Sequence, residues 1–120
     1  MAAGVFRNLV AWQESMKLAE LIYRQTSSLP KSEAFGLMSQ MRRAAVSIPS
    51  NIAEGSGRNS SGELLQFLGI ANGSLAELET QLELGVRLGY FVTDSESSAQ
   101  INRVGRLLTG LRKSLRNKKQ

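Results

Sequence analysis

Neither histidine nor cysteine occurs among the 120 residues. The usual general base, the thiol nucleophile and the commonest transition-metal ligands are therefore missing. Carboxylate and lysine chemistry remain, but the ten acidic residues fall at helix-surface positions. Glu77, Glu79 and Glu83 come nearest to a carboxylate cluster, and they lack the histidine of the Glu-x-x-His pattern on which metal sites in helix bundles rely. The expectation is a chain with no catalytic residue, no cofactor and no metal.

Recognition chemistry is better supplied. Residues 1–111 hold ten basic and ten acidic side chains, so the net charge of +5 lies wholly in RKSLRNKKQ, residues 112–120. A cluster of this kind can neutralise phosphates and release their counterions, which makes binding salt-sensitive. Cations also suit the C-terminal end of a helix, so a solubilising helix end is the competing reading. The candidate nucleic-acid-binding set is Arg103, Arg106, Arg112, Lys113, Arg116, Lys118 and Lys119.

A second group of polar residues runs through SIPSNIAEGSGR, Ser47 to Arg58. Arg43, Ser47, Asn51, Glu54 and Arg58 step by four, four, three and four, which places them on one side of a helix. Ser74, Glu77 and Gln81 repeat that spacing further on. Joined across two helices they would form a buried network that fixes register, because a half-satisfied set costs more than an apolar one. Glu54→Ala should then cost a few kcal/mol. The alternative is an anion site at GSGRNSS, with Arg58 and the free amides of the next helix as donors. That turn lacks the G-x-x-x-x-G-K-[ST] pattern, and Gly with Ser is ordinary chemistry between helices, so packing is the preferred reading.

Four segments must position these residues. Leu9, Trp12, Met16, Ala19 and Tyr23 mark a first amphipathic helix, with Glu14, Lys17, Glu20 and Arg24 off its apolar face, fading at TSSLP. A second starts near Ser32 with Leu37, Met41, Ala44, Ile48 and Ile52 as its stripe and ends around Gly55 to Gly57. The third opens on a Ser60/Glu63 capping box and carries Leu64, Leu68, Ala71, Leu75, Leu78 and Leu82, with Gly89 as its left-handed terminator. Thr93 and Glu96 repeat the capping-box spacing before a fourth, whose stripe is Ile101, Val104, Leu108, Leu111 and Leu115. Trp12, Met16, Met38 and Met41 read as core filling, and Tyr90 and Phe91 as caps of the core.

Short connections favour antiparallel neighbours, so the fold class is all-α: one antiparallel up-down four-helix bundle spanning residues 1–120, with a basic tail at 112–120. Pro49 lies inside the second helix, where it removes a hydrogen bond to Ala45 and costs about 3 kcal/mol, so a kink is expected there. No apolar run approaches the roughly 20 residues needed to cross a bilayer. The opening MAAGVFRNLV shows no leader pattern, so a cytoplasmic location away from membranes is the expectation.

The run QMRRAAVSIPSNIAEGSGR, with ELLQFLGIANGSLAELETQL and LGY, resembles the bacterial four-helix-bundle proteins encoded within intervening sequences of 23S rRNA genes. The resemblance extends from FRNLVAWQESMKLAELIY to about Tyr90 and rests most on RRAAVSIPSNIAEG. The same family includes the accessory variability determinant of diversity-generating retroelements, a pentameric barrel that binds nucleic acid and its reverse transcriptase. The resemblance implies a homo-oligomer, a pentamer in the family's pattern, with no catalytic residue to carry over. Arg43, Ser47, Pro49, Asn51, Glu54, Gly55, Arg58, Gly73, Ser74 and Glu77 match the family motif, whereas the tail after Gly110 is only generally similar. Two functions are expected to compete: an oligomer that binds RNA or DNA through phosphates without strong sequence preference, and a scaffold for a protein partner such as a reverse transcriptase.

Overall fold

Each of the four apolar stripes folds as a helix. The computed structural model describes residues 4–119, with side chains through Asn117. Its helices are α1 (Val10–Thr26), α2 (Leu37–Ser56), α3 (Ser61–Arg87) and α4 (Glu96–Lys119), with short 3-10 turns at Val5–Asn8 and Lys31–Glu33 and no strand among the described residues. Consecutive helices pack on one another and α4 closes against α1, giving a four-helix bundle of 47 × 23 × 19 Å. Leu18 and Ile22 of α1, Met41, Ile48 and Ile52 of α2, Leu68 and Leu78 of α3, and Val104 and Leu108 of α4 are completely buried. Each contributes about 1.5–3 kcal/mol of apolar burial, the main force closing the bundle. Trp12 and Met38 pack partly against this core, while Met16, expected inside it, is exposed.

Helix α2 begins at Leu37 rather than near Ser32, because Glu33 serves as a cap from outside the helix. The Leu37 amide donates to Glu33 Oε1 at 3.1 Å. A Cβ at Gly36 would lie 2.8 Å from that oxygen, so the glycine admits the carboxylate. The other carboxylate oxygen, Oε2, accepts from the Tyr90 hydroxyl at 2.9 Å, which ties the α1–α2 connection to the α3–α4 connection. The helix then continues through the buried Pro49 to Ser56.

At the start of α3 the Glu63 amide donates to Ser60 Oγ at 3.2 Å, as a capping serine should, and the Ser60 hydroxyl lies 3.3 Å from the Glu63 carboxylate. The end of α3 turns at Gly89, whose φ of 83° is the left-handed conformation that favours glycine. Phe91 folds back and buries its ring on Gly85, where a side chain would collide with it. Helix α4 is capped by Ser95, which accepts from the Ser98 amide at 3.2 Å, and not by Thr93. Asp94, at φ 55°, turns the chain between them and moves the start of the helix beyond the reach of the threonine.

Candidate nucleic-acid interface

The expected ridge between α2 and α3 divides into two parts. Ser47 Oγ and Ser74 Oγ share a hydrogen bond of 2.8 Å across the two helices, and the Asn51 amide donates to Ser47 O at 2.8 Å and to its Oγ at 3.0 Å. Glu54 and Arg58 face solvent instead and pair with each other at 2.6 Å, with the guanidinium 4.8 Å above the Phe67 ring. Arg43 and Glu77 are also exposed, and neither joins the hydrogen bonds between α2 and α3 among the described residues. The helices approach closely because of Gly55, where a Cβ would come within 2.7 Å of Phe67 Cβ. At the GSGRNSS turn the Glu63 carboxylate occupies the first turn of α3, which sets a negative charge where an anion would have to sit.

A different polar cluster, not foreseen from the sequence, joins α1 to α4. Glu14 is only 7% exposed. Its carboxylate accepts from Lys17 Nζ at 2.9 Å, from Arg103 Nε at 2.6 Å and from Gln100 Nε2 at 3.3 Å, and Gln100 Nε2 also donates to the Glu14 carbonyl at 2.9 Å. Hydrogen bonds from Lys17, Arg103 and Gln100 hold the carboxyl at a pKa of about 2 against the opposing effect of burial. The sequence reading set Glu14 off the apolar face, whereas it lies on the Ala11/Leu18/Ile22 face that the bundle buries, a placement that its one-turn spacing from Leu18 made legible. Its partner on α4 was not, since 89 residues separate Arg103 from it.

The candidate basic set is therefore split. Arg103 points to α1 and is committed to Glu14. Arg106 lies on the opposite flank, lining an open-sided depression of about 620 Å³ between α3 and α4. Asn72, Glu79, Asn102 and Thr109 complete its polar rim over a floor that includes Leu75 and Ile101. Arg112 lies across α3 at Gly69, half-buried, and its Nε has no hydrogen-bond partner among the described residues. Lys113 and Arg116 are exposed at helical spacing from Thr109 and Arg112, which sets them on the same flank. The side chains of Lys118 and Lys119 lie outside the described residues.

The model of the 23S rRNA-intervening sequence protein family matches residues 7–110. The chain belongs to this family. Comparison with curated proteins gives no match. Among solved structures, the family member is similar to a protein of unknown function from the S23 ribosomal protein family of Bacteroides thetaiotaomicron VPI-5482, at 24% identity and a TM-score of 0.79, over 87% of this chain and 96% of that one. At that identity the likeness speaks for the fold. In this chain Arg103 and Arg106 lie inside the matched span, whereas Arg112, Lys113 and Arg116 lie beyond it. Among the described residues no helix is long and apolar enough to cross a membrane.

Proposed function

We propose that this chain is a non-enzymatic, homo-oligomeric bundle that binds RNA or DNA through phosphate contacts along the α3-facing flank of α4. The observation that supports this reading is the one-sided charge of that helix. Beyond Glu96 the sequence contains no acidic residue, and Arg106, Arg112, Lys113 and Arg116 share the flank toward α3. Arg103 leaves the candidate set, because its guanidinium already neutralises Glu14. Phosphate contacts carry no base information, so the binding has little sequence preference.

Self-association is supported by apolar surface that no other described residue covers. Met16, Tyr23 and Val46 are exposed on adjoining turns of α1 and α2, and Ile70 and Leu84 are exposed on α3, with Leu88 just past its end. Two distinct patches on one subunit are what a head-to-tail ring requires. The test is a titration of labelled single-stranded RNA and DNA at two salt concentrations. Affinity should fall steeply with salt, and Lys113→Ala/Arg116→Ala should flatten the log–log slope by about 1.4 for a single strand, at about 0.7 for each phosphate that is no longer neutralised. A slope that the double substitution leaves unchanged would remove this flank from the interface.

A protein scaffold is the second reading. Phe35, 99% exposed, borders a groove with Tyr23, Met38 and Val46, and exposed aromatic anchors of this kind suit a protein partner. Capture of a protein partner that survives nuclease treatment and disappears with Phe35→Ala would favour it.

A further inference from the structure

We infer that the α3–α4 depression is a subsite for one unpaired nucleobase, so that the chain selects single-stranded over duplex nucleic acid. This rests on the phosphate-binding reading of α4 and adds to it what the cavity takes. At about 620 Å³ the depression falls within the roughly 300–1,000 Å³ range of small-ligand sites. Its construction differs from that of the basic flank beside it. Leu75 and Ile101, both buried, give it an apolar floor, and Gly105 adds no side chain to fill it.

The rim carries Asn72, Asn102, Arg106, Thr109 and Glu79. Carboxamides offer a donor and an acceptor together, a guanidinium donates to ring nitrogens and carbonyl oxygens, and a carboxylate accepts from exocyclic amines. That mixture matches the edge of a base. A bare phosphate fits poorly, because Glu79 would repel it, and a metal fits poorly, because the rim holds a single carboxylate. Among the described residues no ion pair engages Arg106 or Glu79, so both charges remain open to a ligand.

The phosphate-binding residues are close enough to act together with the subsite. Lys113 lies seven residues beyond Arg106 on α4, about 10 Å along the helix axis at roughly 1.5 Å per residue. A base seated in the depression thus brings its neighbouring phosphates to Arg112, Lys113 and Arg116. A base still stacked and paired within a duplex cannot enter, whereas one splayed from a single strand can.

The experiment compares three labelled ligands of equal length on the full chain at one low salt concentration: single-stranded RNA, its duplex, and an abasic strand carrying the same sugar–phosphate backbone. The single strand should bind roughly tenfold more tightly than the abasic strand, the discrimination that a well-placed pair of hydrogen bonds to a base edge provides. Asn72→Ala/Asn102→Ala should abolish that ratio and leave abasic affinity unchanged, whereas Lys113→Ala/Arg116→Ala should weaken both strands equally. Equal wild-type affinity for based and abasic strands, or tighter binding of the duplex, overturns the base subsite and leaves phosphate binding standing. A ratio that survives the double asparagine substitution overturns its location. Failure to bind any of the three overturns the phosphate-binding reading itself.

Discussion

Glu14 shows how a single residue on an apolar stripe can decide how two helices meet. A carboxylate this buried persists only with donors around it, and Lys17, Gln100 and Arg103 supply them. Its folded-state pKa, lowered from 4.5 to about 2, fixes the pH dependence. The unfolded chain takes up the proton first on acidification, so the stabilisation from Glu14 is complete above pH 4.5 and is lost as pH falls toward about 2. Glu14→Gln should therefore lower the unfolding free energy measured by urea denaturation at neutral pH by about 2 kcal/mol, the scale of hydrogen bonds to a charged group, and the gap to wild type should close across that acidic window. Glu54 is the contrasting case. The helical spacing of Glu54 and Arg58 places them together correctly, but on the solvent side, so Glu54→Ala should cost no more than about 0.5 kcal/mol in chemical denaturation instead of the larger loss expected for a buried network.

At the scale of elements, what could be read from the sequence is what neighbouring residues decide. The four stripes, the Ser60 cap and the left-handed Gly89 depend on residues within a few positions, and the helices occur where those signals lie. The start of α2 depends on Glu33 and Gly36 acting together, and the start of α4 on the turn at Asp94, so spacing alone misplaced both. The α3–α4 depression was not legible, since its rim draws on residues of two helices set in register only by packing. Two measurements follow for the elements. Ser95→Ala should lower stability by about 1 kcal/mol through loss of the α4 cap, while Thr93→Ala leaves the thermal midpoint nearly unchanged; the reverse order would restore Thr93 as the cap. Gly73→Ala should raise the midpoint, because a Cβ there meets nothing within 4 Å and alanine is favoured in a helix interior by roughly 0.5–1 kcal/mol.

At the scale of the whole molecule, the basic flank and the apolar surface of α1 and α2 lie on different sides of the bundle. The basic flank lies on α4 toward α3, whereas Met16, Tyr23 and Val46 open on the α1–α2 side. A surface of apolar side chains spread over two helices costs free energy while it faces water, and a second copy of the chain is the partner always present at matching concentration. Association through that side would leave the α4 flank of every subunit free, so several weak phosphate surfaces could act on one strand. Linked surfaces of this kind raise apparent affinity by roughly 10²–10⁴ with no change at the flank itself. Tyr23→Glu/Val46→Glu places two carboxylates on the exposed face without touching the buried core. Mass determination in solution should show this variant as a monomer of unchanged helix content where the wild type is an oligomer, and its affinity for a long single strand should fall at least tenfold while affinity for a strand too short to span two subunits stays the same. Equal losses on both strands would mean that the substitutions damage the flank itself, and an unchanged mass would place the self-association surface elsewhere, with the exposed Ile70 and Leu84 of α3 and the adjoining Leu88 the next to be tested.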